Sequence, residues 1–446
     1  MAEAQPPARI GKYRIEREIG RGASGVVYLG LDGFRGRRVA IKQMHAHLLA
    51  DPQQAQRYRR LLRNEALLAG RLRHPHIVRL LDADEQALPP YLVLEYVAGR
   101  PLSEYAAPDR LLPVAQVLDI AFKCGQALEH AQRQGLVHRD IKPANILLSE
   151  QGEVKLADFG TALSLRSEAT QIAGLVGSPS YMSPEQVREE ALTHHSDMFS
   201  LAVVVYELLT GRRPFDGETD FATLYRIGHD EPVPPSLLRP SLPPGLDLWL
   251  LRALAKPAAQ RYAGWDDWCG TLMTLARGLP HQHTQDTDSE RFARLRALPF
   301  FADFHDVVLW ELMRLGKWRR LERGTVLMRE NTPGDSFCVL IEGQVAVSRQ
   351  GWHLSTLGPG VTLGEMTYLR PDKRLRTATA VAETDVLVLK IRNPALREAS
   401  EDLQSRFDKA FIRLLVQRLI ATNEQLAEWE IVAAPRAPEG AGDAIE

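Results

Sequence analysis

Residues 136–160 constrain this chain more than any other stretch. The apolar pair Leu136-Val137 runs straight into His138-Arg139-Asp140-Ile141-Lys142-Pro143-Ala144-Asn145, and the apolar run Ile146-Leu147-Leu148 follows at once. Core strands do not carry that density of ionisable groups unless something polar or charged meets them. Thirteen residues beyond Asn145 stands Asp158-Phe159-Gly160, an acid followed by an aromatic and by a residue free to change φ. Asp158 and Asn145 offer two hard oxygen ligands of the kind Mg²⁺ takes. Asp140 can accept a hydroxyl proton, and Lys142 can neutralise charge on a phosphoryl group.

Two weaker signals lie upstream. Gly20-Arg21-Gly22-Ala23-Ser24-Gly25-Val26-Val27 fits a glycine-rich loop between two strands, where backbone N–H groups can approach phosphate oxygens with no Cβ in the way. Taken alone it reads equally well as an ordinary hairpin. Val39-Ala40-Ile41-Lys42 ends an apolar strand on a lysine, which is costly to bury unless an anion meets it. The candidate anions are nucleotide phosphates and Glu65, which sits on a helical stretch from Arg57 to Leu72 with Leu61, Leu62, Ala66, Leu68 and Leu72 as expected buried positions. By itself Glu65 reads as an exposed helix carboxylate.

Together these ordered motifs resemble the eukaryotic-type protein kinase family, over about residues 13–275. The resemblance includes Tyr181-Met182-Ser183-Pro184-Glu185, with Ser183 where the family usually has Ala. It includes Ser196-Asp197-Met198-Phe199-Ser200 at the start of a buried helix, and Arg261 in Ala259-Gln260-Arg261-Tyr262. The Met-Ser-Pro-Glu-Gln wording is similar to bacterial members. The resemblance implies a bilobal fold, ATP and Mg²⁺ as cofactors, and protein Ser or Thr as substrate, the last from Lys142. It implies that Lys42 binds phosphates and pairs with Glu65, that Asp140 is the catalytic base, and that Asn145 and Asp158 hold the metal. It implies an ATP pocket made by Ile19, Gly20, Arg21, Gly22, Ala23, Ser24, Gly25, Val26, Val27, Ala40, Lys42, Glu95, Val97 and Leu147, with Leu94 as gatekeeper. It implies a buried ion pair between Glu185 and Arg261, and His138 is expected to be a packing residue. Arg139 is expected to meet a phosphorylated activation loop, for which Thr170 is chosen over Ser164 and Ser167. His194 and His195 read as a solvated loop.

A second style begins near residue 300. Strands alternate, and turns carry Gly324, Gly334, Gly343, Gly351, Gly358, Gly360 and Gly364. Phe337, Val339 and Ile341 fall on one strand face, continued by Val345 and Val347. Gly364-Glu365-Met366 followed by Arg376-Thr377-Ala378-Thr379 resembles the cyclic nucleotide-binding domain family. The resemblance implies that Gly364 and Arg376 meet the cyclic phosphate of cAMP or cGMP and that Glu365 takes a ribose 2′-OH; the Thr377 hydroxyl can hydrogen-bond a guanine edge, which admits cGMP. Eleven positions separate Glu365 from Arg376, slightly more than the family leads one to expect, and Arg374 is the alternative.

The expected organisation is therefore α+β: a bilobal kinase fold (13–275), a linker (276–298), and a jelly-roll-like β-roll with flanking helices (299–395). A helical segment (396–430) and a disordered tail (431–446) follow. In the helical segment Phe407, Phe411, Leu415 and Leu419 are expected to cover the roll, with a homodimer seam as a further option. Net charge is -1, so no global field favours nucleic acid or an anionic membrane. The three cysteines are widely spaced and fit neither a disulfide framework nor a zinc cluster. No apolar run is long enough to span a bilayer, and the N-terminus lacks a signal core, so a cytoplasmic protein without membrane insertion is expected.

Overall fold

β-Branched and aromatic runs near the N-terminus build an antiparallel sheet in the computed structural model, which describes residues 6–22, 25–159, 163–164, 179–279, 286–370 and 375–433. Its strands are β1 (Arg9–Ile10), β2 (Tyr13–Arg21), β3 (Gly25–Asp32) and β4 (Arg37–Met44), then, after helix α1 (Pro52–Ala69), β5 (Leu80–Asp84) and β6 (Tyr91–Glu95). The spatial order is β1-β2-β3-β4-β6-β5. One face buries Tyr13, Tyr28, Val39, Ile41, Tyr91 and Val93. The other packs Met44, Leu62 and Leu92 together, with Ala66 and Leu80 beside them. Side chains alternate along a strand, so Lys42 points to the same side as Met44, toward α1. On α1, Leu62 is buried and Ala66 and Leu68 are half-buried. The helix ends at Ala69, so Leu72 is buried in the loop beyond it rather than on the helix.

The chain then turns mostly helical. It runs through β7 (Gly99–Pro101), α2 (Val114–Arg133), β8 (Leu136–Val137), β9 (Ile146–Ser149), β10 (Val154–Leu156) and β11 (Leu163–Ser164). Helices α3 (Pro184–Val187), α4 (His194–Thr210), α5 (Asp220–His229), α6 (Pro235–Leu238), α7 (Pro244–Ala253) and α8 (Trp265–Arg277) follow. The ionisable cluster of residues 138–145 thus lies between β8 and β9, and Asp158 lies just past β10. The longest apolar run is the buried helix α4. His194 and His195 are its first turn and not a loop, because Thr193 and Ser196 cap it reciprocally.

The chain divides into two units, Met1–Glu290 and Arg291–Glu446. The expected linker is a misreading in its second half. Helix α9 spans Asp288–Arg296, and Phe292, Leu295 and Leu298 are buried. The polar letters conceal a helix start: Thr287 N donates to Glu290 Oε2 at 2.8 Å, and Glu290 N donates back to Thr287 Oγ1 at 3.3 Å. Residues 280–285 lie outside the described residues.

The second unit holds α10 (Asp306–Leu315), β12 (Lys317–Leu321), β13 (Val326–Met328), β14 (Ser336–Glu342), β15 (Val345–Arg349), β16 (Trp352–Leu357) and β17 (Thr362–Leu363). It continues with α11 (Met366–Leu369), β18 (Thr379–Ala382), β19 (Val386–Arg392), α12 (Asn393–Arg397) and α13 (Glu401–Ala433). Two four-stranded antiparallel sheets, β12-β19-β14-β17 and β13-β18-β15-β16, enclose Cys338, Leu340, Val345, Leu363, Ala380 and Val388. Strand β14 is buried on both faces: Phe337 turns away from this core to meet Phe407 and Phe411 of α13.

Phe407 and Phe411 are fully buried, but Leu415 and Leu419 are exposed, contrary to the expected cover. Four residues turn a helix through about 400°, so a spacing of four drifts about 40° per step and carries Leu419 off the face. Helix α13 also continues through Ala433, three residues into the expected tail. Residues 434–446 lie outside the described residues.

Candidate functional site

Three segments of the first unit converge on one cleft. From β4, Lys42 Nζ donates to Glu65 Oε1 of α1 at 3.0 Å and to Asp158 Oδ1 at 2.7 Å. Burial pulls the Lys42 ammonium down, but the charges of Glu65 and Asp158 outweigh it, and the group is held above its ordinary value. Lys142 Nζ lies 2.8 Å from Asp140 Oδ2, and Asn145 Nδ2 donates to the same carboxylate at 3.0 Å and to the Asp140 carbonyl at 2.9 Å. Ala157 N donates to the Asn145 carbonyl at 2.8 Å, so the Asn145 turn is tied to the residue preceding Asp158.

The backbone around these groups is held in unusual conformations. Arg139 (φ 73°) and Asp158 (φ 63°) both occupy the left-handed region, at a cost of about 1–3 kcal/mol each. Asp197 of α4 offsets this at Arg139: its two carboxylate oxygens accept from the His138 and Arg139 backbone N–H groups, both at 2.8 Å. His138 is fully buried, with its ring 4.4 Å from that of Phe159 and Nε2 3.1 Å from the Ala157 carbonyl. Burial lowers the Arg139 guanidinium, against the pull of Asp197. Thr170, Ser167 and the side chain of Ser164 lie outside the described residues.

Most of the expected ATP-pocket residues lie on strands β2, β3, β4 and β6 of the N-terminal sheet. Val27 stands opposite Lys42, Ala40 opposite Leu94, and Val39 opposite Glu95 in neighbouring strands. Gly22 N donates to the Gly25 carbonyl at 2.9 Å and closes the hairpin, from which Ile19 is exposed. Arg21 pairs with Glu18 on the same strand, Gly20 stands opposite Val27 and Arg21 opposite Val26 across β2 and β3, and Leu147 of β9 is half-buried. Ala23 and Ser24 lie outside the described residues. Gly99 N donates to the Val97 carbonyl at 3.0 Å beyond the strand end.

Several partners escaped sequence reasoning. His45 Nε2 lies 2.9 Å from the Gly22 carbonyl and steadies the hairpin. Lys155 Nζ meets both Glu95 oxygens at 2.8 and 2.9 Å, tying β10 to the end of β6. The signal available was a lysine in an otherwise apolar three-residue strand. Farther off, Arg261 makes a buried two-pronged pair with Glu185, at 2.8 and 2.9 Å. Burial pushes the Glu185 carboxyl up, but Arg261 overrides it and holds it below its usual range.

The second unit has a separate polar pocket. Arg376 is only 8% exposed, and its guanidinium donates to the carbonyls of Gly364 (3.1 Å) and Ser336 (2.6 Å). It makes no ion pair among the described residues, and burial lowers its guanidinium. A Cβ at Gly364 (φ 81°) or at Gly334 would collide with it. Glu365 is 3% exposed; one oxygen accepts from Arg418 of α13 at 2.7 Å, and the other, Oε2, is buried without a partner among the described residues. Arg418 also donates to the Thr362 carbonyl at 3.1 Å. Thr377 is exposed, and Arg374 lies outside the described residues. Nothing in the local sequence pointed to Arg418, which is 53 residues distant from Glu365.

With this geometry in hand, comparison with known proteins is informative. The protein kinase domain model matches residues 13–235, half of the chain, and the cyclic nucleotide-binding domain model matches residues 318–402. The chain is similar to the probable serine/threonine-protein kinase SCO3848 of Streptomyces coelicolor, 39% identical over 62% of this chain and 42% of that protein. It is similar to serine/threonine-protein kinase PknB of Mycolicibacterium smegmatis (37% identical; 65% of this chain, 47% of that one) and of Mycobacterium tuberculosis (35%; 64% and 46%). The matched region spans less than half the length of these curated relatives. No helix among the described residues is long and apolar enough to cross a membrane. The chain belongs to the protein kinase domain family, with a cyclic nucleotide-binding domain following the kinase domain.

Proposed function

We propose that this chain transfers the γ-phosphoryl group of ATP to a serine or threonine hydroxyl of a protein, and that a cyclic nucleotide bound to the second unit regulates the transfer. The observation that carries the first half is a pair of side-chain clusters, Lys42 with Glu65 and Asp158, and Asp140 with Lys142 and Asn145, tied together by the hydrogen bond from Ala157 N to the Asn145 carbonyl. In this reading Asp140 accepts the hydroxyl proton as the new O–P bond forms and the bond to ADP breaks. Lys142 neutralises the charge that spreads over the moving phosphoryl oxygens. Lys42, kept charged and oriented by Glu65, holds the α- and β-phosphates.

Mg²⁺ fits the donors present. Asn145 and Asp158 offer hard oxygens, and the Asp158 side chain is 41% exposed, accessible to an incoming metal–nucleotide complex. Held by Asn145 and Asp158, such an ion would supply positive charge to offset that of the nucleotide phosphates. Lys142 supports Ser/Thr rather than Tyr specificity, as do the names of the similar proteins.

The regulatory half is supported by Arg376 and Glu365. A buried guanidinium whose partners among the described residues are two carbonyls is suited to an anion, and its planar fork matches two phosphate oxygens. The unpartnered Glu365 Oε2 is suited to a ribose 2′-OH. Arg418 balances the Glu365 charge, so that a phosphate is tolerated nearby, and it links that pocket to α13. Labelled ATP with Mg²⁺ and a general protein substrate, titrated with cAMP and cGMP, tests both halves. Undiminished transfer in Asp140→Asn would refute the first, and equal rates with and without saturating nucleotide the second.

A further inference from the structure

Lysine in the middle of a buried helix is costly, yet α2 carries one. Lys123 is 2% exposed among Ile120, Ala121, Cys124 and Ala127. Asp119, one turn earlier, lies 2.8 Å from its Nζ, and the Gly152 carbonyl accepts from it at 3.2 Å. The third contact comes from far along the chain: Asp288 Oδ2 at 2.9 Å. Beside it the Ser289 backbone N–H donates to Asp119 Oδ1 at 3.0 Å, and Ser289 itself is buried. Thr287 and Glu290 cap the same turn reciprocally. Four consecutive residues beyond α8 are thus seated on α2 by a buried cation, a carboxylate and a helix cap. None of these groups belongs to the phosphoryl-transfer cleft.

The location matters because the first unit ends at Glu290. Any influence that the second unit has through the chain must pass the seated turn. A surface tether of this composition would be solvated and slack. Here, instead, release requires leaving Lys123 with one carboxylate fewer in a buried site. A seat with two discrete states, occupied or empty, is the kind of element through which a distant ligand can bias an enzyme.

We propose that Lys123 and Asp119 form an internal socket for residues 287–290, and that occupancy of this socket conveys the nucleotide state of the second unit to the kinase. The proposal rests on the regulatory reading above, but its seating half is measured separately. The full chain is compared with Asp288→Ala, which leaves the Lys123–Asp119 pair intact, and with Lys123→Met. Hydrogen–deuterium exchange is followed at residues 286–290, and transfer rates are taken without nucleotide and with saturating cAMP or cGMP. Asp288→Ala should raise exchange there roughly tenfold, as loss of one charge-assisted hydrogen bond implies. It should leave the nucleotide-free rate within about twofold and remove most of the nucleotide response. Unchanged exchange in both variants overturns the socket. Raised exchange with the full nucleotide response retained overturns its conveying role. If the wild-type chain answers to neither nucleotide, the regulatory reading and the conveying role fall together, while the exchange result still decides the seating.

Discussion

The kinase cleft and the β-roll pocket treat charge in opposite ways. In the cleft every ion has a counter-ion inside the protein: Lys42 with Glu65 and Asp158, Lys142 with Asp140. Among the described residues, Arg376 in the pocket rests on two carbonyls, and one Glu365 oxygen has no partner. An internally neutralised cleft keeps its geometry between turnovers, so substrate and product can exchange without collapse of the site. A pocket with unmet buried polar atoms is less stable empty than filled, and filling it releases free energy that can be coupled elsewhere. On the proposed function, the difference is that between a site built to react and a site built to sense.

The sharpest way to break this contrast is Asp140→Asn, which should lower phosphoryl transfer by roughly 10²–10⁴-fold. Cyclic nucleotide affinity of the same variant, read by calorimetry, should not move. Next comes ligand-free stability, read by chemical unfolding. Lys42→Met breaks a buried pair and should cost the first unit about 3 kcal/mol. Arg376→Met discards a buried charge that has no counter-ion and should cost the second unit less than half of that. A larger loss at Arg376 than at Lys42 would erase the distinction.

In the presence of ligand the order reverses for the pocket. Arg376→Ala should weaken cyclic nucleotide binding about 30-fold, the loss of one bidentate charge-assisted contact, without altering the nucleotide-free transfer rate. The smallest effect is expected at Arg418→Ala. Removing it leaves the Glu365 charge unbalanced beside the phosphate site and should weaken binding about fivefold, since Arg418 is partly exposed and screened.

Much of the cleft was legible because its chemistry is written in short, contiguous words. His138 to Asn145 carries Asp140, Lys142 and Asn145 within one turn-rich stretch, and a backbone hydrogen bond suffices to bring Asp158 alongside. Lys42 and Glu65 were legible as types but ambiguous as partners, since a helix carboxylate is ordinarily solvated. Only the alternation of β4 and the packing of α1 brought them to 3.0 Å. Arg418, Lys155 and Lys123 were not legible as site or socket residues. Each acquires its role from a partner more than fifty residues away, and a lysine or arginine in a helix or strand looks the same whether its partner is water or a buried carboxylate.

The polar run 286–290 was misread for the same reason. Its composition is that of a tether, and its capping pattern is visible only once a helix is known to follow. The exposed Leu415 and Leu419 show the converse, an apolar spacing of four that a helix of 3.6 residues per turn carries out of the core.

By itself, then, the order of residues determined the two-part architecture and which polar groups cluster around Asp140, because those depend on local pattern and on motifs a few residues long. The tertiary structure alone decided which charges are neutralised, which remain unmet, and where the chain between the two units is seated. Those are matters of distance and burial between segments remote in sequence, and Coulomb and desolvation energies depend on exactly those two quantities.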